Sequence, residues 1–581
     1  MKHEFALPIC FREHNKLDDT LLTDLELLQA KPNSKDSVPI FELVMKPTNS
    51  YEYDLSMDIL KTYTTDVSFL TQTQTVVTSI VPQMTVSDSH TIDKMYTLYN
   101  ELESCEEFHA KYQYIEVKPL QRLNNSHHFL QMLSLYNMAS PMITLLTPIV
   151  LMILPFFIIK LQGISLSLSS YIEALGKLFK NHAIGKLLTT FKDVSWDKRV
   201  YLLVTVAFYV MQIYQNANAC YRFFTNMKTI HEDLFVTREF IAQSIDSMDN
   251  FKERVYVKDL NTYYDFCLSF EPHLETLIKY RTTLERITPL RLTFTKASQI
   301  GLIMQQFYAL KNDTEFTSSI LFALRFNTYI ANMKSISNLY QAKHIAKAQY
   351  KKNTSWKSKS MVYPPLYQND SVSTSFDIKR SYVITGPNAS GKTTLLKSAM
   401  INSILSQQFG LGFYEELQFR PYTHFHCYLD IPDTSGRDSL FQAEARRCLD
   451  IITTINQTAD DVASNHLCIF DEIYSGTNPK EAVASAFSFI RYLSGHKNVR
   501  FLLTTHFHEL CKFSKQLSNV CNYHLQVSER YEENGNDELV YTYKLRKGIS
   551  KVKGGMYVLK ELGYPKALLM VAKHTLSKQF V

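Results

Sequence analysis

Gly386, Gly391, Lys392 and Thr393 stand in the spacing G-x-x-x-x-G-K-T, within the stretch RSYVITGPNASGKTTLLKSAM. Glycines let a chain turn so that successive backbone N–H groups face one point. A helix starting near Gly391 adds the positive end of its dipole. The chemistry this suits is the grip of a phosphate chain. Lys392 reaches the outer phosphates, and the Thr393 hydroxyl is a hard oxygen ligand for magnesium. Pro387, Asn388, Ala389, Ser390 and Thr394 complete the expected nucleotide-contacting set.

About eighty residues on, HLCIFDEIYSGTNP places Asp471 and Glu472 after an apolar run, Leu467 to Phe470. Asp471 is positioned to hold the shell of a magnesium ion, and Glu472 to orient or deprotonate an attacking water. A third run, VRFLLTTH, ends in His506. At a strand end it is suited to sense the outermost phosphate through water. The plainer reading is a partly buried histidine satisfied by backbone. ATP and Mg2+ are the expected cofactors, and ATP hydrolysis the expected reaction.

These side chains need elements to hold them. The order strand, loop, helix surrounds Gly386–Thr393. Short apolar runs alternate with helical patterns from about residue 360 onward, the texture of an α/β domain with a largely parallel sheet. Residues 351–581 are therefore expected to form a P-loop ATPase domain. Residues 222–350 read as long helices, with Ile230, Leu234, Ile241, Ile245 and Met248 on one face. The stretch KHIAKAQYKKNTSWKSKSM before the domain reads as a basic exposed connector, and residues 1–128 as a mixed region without a chemical motif. At 581 residues the chain exceeds one core, and a net charge of +6 permits nucleic acid or anionic lipid without arguing for either. Nine scattered cysteines without a CxxC pair fit a reducing compartment.

Residues 129–221 carry a different signal. No Asp, Glu, Lys or Arg occurs from Phe129 to Ile159, nor from Val200 to Tyr221. About twenty apolar residues suffice to cross a bilayer core. Pro148 and Pro155, which would kink a soluble helix, are tolerated in membrane spans. A membrane hairpin is expected, with the ATPase on the cytosolic side. The second run ends in the polar QIYQNANACY and is the weaker span. The connector between the runs is rich in lysine, which the positive-inside tendency would keep cytosolic; SYIEALGKLFKNHAIGKLL within it reads as a basic amphipathic helix for a lipid surface. A re-entrant or shallow hairpin, or insertion of the first run alone, would reconcile these signals; the alternative is a helical hairpin buried inside a soluble lever.

Together these motifs resemble the ATPase domain of the MutS family. TGPNASGKTT is similar to that family's TGPNMGGKST. SGRDSLFQAE resembles its SGRSTFMVE, with Ser439, Phe441 and Glu444 in register. YKLRKGISKVKGGMYVLKELGYP resembles its closing segment. The resemblance implies a dimer, with itself or a relative, in which Ser439 is presented to the nucleotide of the other subunit. The loop DEIYSGTNP departs from the DEIGRGTS of repair members. The triplet FRE, Phe11 to Glu13, matches the family's F-x-E mismatch reader only as a Phe-rich chain does by accident.

The leading expectation is a membrane-attached MutS-like ATPase whose dimer closes on nucleotide and switches conformation, acting on DNA. One alternative is a soluble MutS-like DNA-structure or mismatch-repair ATPase. Another is a membrane-organising switch without nucleic acid.

Overall fold

A computed structural model describes residues 5–30, 38–85, 89–162, 167–181, 195–290, 294–352, 356–368, 371–429, 439–530, 538–552 and 554–578. Two compact units emerge, and they cut across the ranges expected from the sequence. One comprises residues 1–86, 247–271 and 325–581; the other comprises 87–246 and 272–324.

The first unit is built on a six-stranded sheet. Ser381–Thr385, Val499–Thr504, His466–Asp471 and His424–Tyr428 run parallel in that spatial order. On the other side Val520–Arg530 pairs parallel with Ser381–Thr385, and Glu538–Lys547 closes the edge antiparallel. The central strands are apolar through their middles because helices cover both faces. Val383, Ile384, Leu467–Phe470 and Phe501–Leu503 are fully buried. The parallel sheet anticipated after residue 360 is present.

A second, mixed sheet of five strands corrects one expectation. The basic stretch read as an exposed connector forms two of its strands, Ala346–Tyr350 and Trp356–Met361. Its lysines alternate with small or apolar residues, the period of a half-buried strand. Lys357 and Lys359 face out while Trp356 is buried, its indole N–H donating to Ser403 Oγ at 2.9 Å.

The amino-terminal segment packs directly on the helix Lys392–Phe409. Thr64 exchanges hydrogen bonds with Gln407, the Gln74 amide donates to the carbonyls of Ala348 and Gly410, and Lys397 pairs with Glu26 at 2.7 Å. Phe11 lies edge-on to Phe266, and the Glu13 carbonyl accepts from Thr64, so both residues of the FRE triplet serve packing here.

The second unit is helical. Phe108, Tyr112, Tyr114, Phe307 and Tyr308 form an aromatic core, and the Tyr114 hydroxyl donates to the Met304 carbonyl at 2.7 Å. The helix Ile300–Asn312 approaches His127–Leu161 so closely that a Cβ on Gly301 would lie 2.1 Å from the His127 carbonyl oxygen. The helical residues expected to share a face, Ile230, Leu234, Ile241, Ile245 and Met248, are all buried. The helices Trp196–Val257 and Thr314–Gln341 each contribute residues to both units.

Helices His127–Leu161 and Trp196–Val257 contain stretches long and apolar enough to cross a membrane by length and composition. Among the described residues little covers them. Met142, Leu145, Val150, Phe157, Leu203, Phe208, Val210 and Met211 are all exposed. Part of the basic connector, residues 182–194, lies outside the described residues.

A candidate nucleotide site at the carboxyl ends of the parallel strands

The strand Ser381–Thr385 is central in the sheet, and the loop it feeds turns sharply into the helix Lys392–Phe409. Two residues make the turn in the left-handed region, Ala389 at φ +61° and Gly391 at φ +89°. Gly386 is required for a different reason: a Cβ there would meet Ser390 Oγ at 2.6 Å. Ser390 Oγ is buried with no hydrogen-bond partner among the described residues.

Lys392 extends back over this loop. Its ammonium donates to the carbonyls of Gly386 and Pro387 at 3.2 and 3.3 Å and stands 3.6 Å from Glu472 Oε1. Burial lowers its pKa, against the opposing pull of Glu472 and Asp471. Thr393 Oγ1 donates to Asp471 Oδ2 at 2.6 Å, and Thr504 Oγ1 donates to the other carboxylate oxygen. Asp471 is thus held by a hydroxyl from each of two neighbouring elements. Glu472 adopts a left-handed backbone, φ +52°, as the strand His466–Asp471 ends. Its Oε1 lies 2.7 Å from His506 Nε2, and Lys392 Nζ lies 3.3 Å from the same ring nitrogen. The hydrogen bond from His506 is the largest influence on the Glu472 carboxyl and lowers its pKa; partial burial opposes it, and Lys392 reinforces it.

A cavity of about 590 Å³ opens beside the loop. Asn388 to Leu395 and Glu472 line it together with Met361, Tyr363, Leu366, Val372, Leu525 and Tyr543. Such a volume, with charged and apolar lining, is within the range of small-molecule sites. The Tyr543 ring covers the loop, 3.1 Å from where a Cβ on Gly391 would be.

The expected residues divide into two groups. Gly386–Thr394, Asp471, Glu472 and His506 converge. Ser439 does not line the cavity. It caps the helix Leu440–Gln457 in a reciprocal capping box with Gln442; residues 435–438 before it lie outside the described residues. Five residues over, Glu444 is buried and holds the loop after Glu472. Its carboxylate accepts from Ser475 N and Oγ, both at 3.0 Å, and from Gly476 N at 3.2 Å. Sequence reasoning noted the spacing of Glu444 but not this contact, and it missed Thr504 and Tyr543. The TT before His506 offered a signal for Thr504; Tyr543 left none.

Residues 382–579 match the family model described as MutS domain V. That stretch, about a third of the chain, is similar to a domain of the MutS family. Domain V is that family's ATPase domain, so the carboxy-terminal lobe is similar to an ATPase domain. Among curated proteins it is 29% identical over 201 residues to the DNA mismatch repair protein MutS of Finegoldia magna. The MutS proteins of Bacteroides thetaiotaomicron and Streptococcus agalactiae are 28% and 27% identical over 200 and 196 residues. Each alignment covers 34% of this chain and 22% of the relative, so the chain spans about a fifth of the length of the curated MutS proteins it matches. The domain match begins at residue 382. The apolar helices lie outside it, and it gives the expected membrane hairpin no support.

Proposed function

We propose that this MutS-like chain is an ATP-driven conformational switch of the DNA mismatch-repair type. The observation that carries it is the convergence of Lys392, Thr393, Asp471 and Glu472 beside a cavity of nucleotide size. The donor set fits magnesium triphosphate: a hydroxyl and a carboxylate within hydrogen-bond reach, a buried ammonium beside them, and an unsatisfied buried hydroxyl at Ser390. Magnesium, when bound, neutralises charge on the phosphate oxygens, and Thr393 and Asp471 are the residues to hold it. Lys392 shifts from its loop carbonyls to the outer phosphates. Tyr543 and the apolar wall receive the base. Glu472 takes a proton from the attacking water as the bond between the outer two phosphates breaks, leaving ADP and inorganic phosphate. His506 keeps that carboxylate ionised and oriented. DNA as the polymer acted on follows the names of the relatives and suits the mild positive charge.

Ser439 serves the partner's nucleotide in a closed dimer, a reading supported by its position away from the cavity of its own chain. Glu472→Gln should retain ATP binding and lose about 10²–10⁴-fold in hydrolysis, the usual worth of a general base. Mixing Ser439→Ala with Lys392→Ala chains should restore one composite site; activity no higher than either variant alone would remove the trans arrangement.

A second reading, attachment to a membrane, is favoured by one observation, the exposure of the apolar helices to solvent. A monomer rarely leaves so large an apolar surface open. Sedimentation of the full chain with vesicles after alkaline washing tests it.

A further inference from the structure

The two apolar helices are antiparallel partners, and their pairing can be read residue by residue. Asn216 Nδ2 donates to Thr144 Oγ1 at 2.5 Å, and Cys220 Sγ lies 3.7 Å from the Met138 carbonyl. Asn216 and Cys220, in the polar end of the second run, thus meet the first helix, while Gln212 and Gln215 beside them are exposed. Counting sixteen residues from the Asn216–Thr144 contact toward the hairpin's far end brings Val200 level with Lys160.

That register has a consequence. Lys160 ends the uncharged run of one helix, and Arg199 precedes the uncharged run of the other. The two charged edges coincide. Near the opposite end, Cys220 meets the Met138 carbonyl, and Arg222 closes the second run two residues on. The shared uncharged band is 22 residues long on the second helix, Val200 to Tyr221. At about 1.5 Å per residue it spans roughly 33 Å, against roughly 30 Å for a bilayer's hydrocarbon core.

Burial by the rest of the unit begins past the band, although Met132, Tyr136 and Phe224 there remain exposed. Inside the band, Val204, Phe208, Met211, Leu145 and Val150 point outward. Beyond Arg222 the same helices bury Phe223, Met227, Leu130 and Ser134. Aromatic side chains mark the edges. Tyr201 and Tyr221 are about 70% exposed, and Trp196 is 76% exposed with the Arg199 guanidinium 5.6 Å from its ring. Amphipathic rings beside cations are the pattern of a membrane interface. A soluble partner helix would need an apolar stripe on one side; the exposed side chains of this hairpin are mostly apolar, with Thr147, Gln212 and Gln215 the exposed polar ones among them.

We propose that residues 138–160 and 200–221 cross a lipid bilayer as one antiparallel hairpin, with Lys160 and Arg199 at one interface and Arg222 at the other. The occupant of the exposed surface is lipid. The Asn216–Thr144 bond ties the helices where water is absent, as polar side chains do between membrane helices. Both strands of the hairpin return to the same side. The helix Leu168–Asn181, with Lys177 and Lys180, lies beyond the far edge, at headgroup level. This inference rests on the membrane-attached reading above.

The chain holds two tryptophans, Trp196 at the band's edge and Trp356 buried in the ATPase unit. Full-length protein in phosphatidylcholine–phosphatidylglycerol vesicles would be examined with lipids brominated either near the headgroup or near the chain end. Trp196 emission should be lost to shallow bromines and spared by deep ones. In a Trp196→Phe, Met211→Trp variant that still hydrolyses ATP, the deep bromines should quench most. Trp356 should respond to neither. Quenching of the Met211→Trp variant by shallow bromines alone overturns the crossing, because the hairpin would then lie flat. Vesicle-bound protein with no quenching at either position overturns it too, while leaving attachment by another surface. Failure to bind vesicles, with a detergent-free oligomer instead, removes the membrane reading itself and assigns the apolar surface to a second copy.

Discussion

His506 Nε2 lies 2.7 Å from Glu472 Oε1, so the acid positioned to activate water is already paired. That hydrogen bond lowers the Glu472 pKa below its ordinary value of 4.5. A depressed carboxyl is ionised, and its pairing fully present, above the ordinary pKa. The pairing is lost as pH falls through the lower folded value. Hydrolysis should therefore persist to below pH 4.5 before its acid limb appears, so far as the fold survives. His506→Ala should move that limb to higher pH while leaving the rate at pH 8 less affected. A pH–rate profile of the two proteins checks this, and an unmoved limb would show that His506 does not set the state of Glu472.

Lys392 donates to two backbone carbonyls and faces Glu472, Asp471 and the His506 ring. Hydrogen bonds to charged groups are worth about 1.5–3 kcal/mol. Lys392→Ala should weaken ATP binding roughly 10- to 100-fold on that scale. Thr393→Val removes the hydroxyl that meets Asp471. Its effect should appear instead as a higher magnesium requirement. Titrating ATP at fixed magnesium and magnesium at fixed ATP separates the two. Equal responses in both titrations would mean the roles are not divided as described.

Glu444 ties the helix that begins at Ser439 to the loop that follows Glu472. Its buried carboxylate satisfies two backbone N–H groups and one hydroxyl. Each donor orphaned in a buried place costs about 1–3 kcal/mol. Glu444→Ala should lower the unfolding midpoint and reduce kcat more than it changes KM. Glu444→Gln, which keeps an acceptor oxygen, should recover most of the stability and part of kcat. Thermal unfolding and steady-state kinetics on both variants test this. A loss of stability with kcat intact would confine Glu444 to a structural role.

The sequence made some of this legible and hid the rest for identifiable reasons. Gly386 to Thr394 are contiguous, and Asp471, Glu472 and His506 follow apolar strands, so local pattern placed them at one sheet edge. Thr504 and Tyr543 reach the site only through pairing of distant segments. The amino-terminal segment escaped assignment because its partners, such as Gln407 for Thr64 and Gly410 for Gln74, lie more than 330 residues away. The strands around Lys347 and Lys357 were masked by their lysines, whose outward alternation was mistaken for a solvated stretch. For the apolar helices, length could be counted but exposure could not.

At the other end of the sheet, His424, His426 and His466 stack on adjacent parallel strands. His426 Nε2 and His466 Nδ1 are 3.0 Å apart, and the rings of His424 and His466 are 4.7 Å apart. Ser464 and Thr458 hydroxyls occupy His466 Nε2. Arg447 and His496 add positive charge nearby, and Asp461 is the opposing acid. Burial, then the neighbouring imidazoles, pushes His426 down to about 3 and His466 down to about 4. The unfolded chain binds these protons near pH 6.5, whereas the folded chain refuses them until pH 4 or below. More protons are bound unfolded across that interval, so stability falls as pH falls from 6.5. The slope approaches about 1.4 kcal/mol per pH unit for each histidine held neutral. Urea unfolding at pH 7.5, 6.5 and 5.5 should show a falling midpoint below 6.5. His426→Gln, which retains a donor and an acceptor, should flatten that fall. An unchanged slope in the variant would show that the histidine stack does not carry the acid sensitivity.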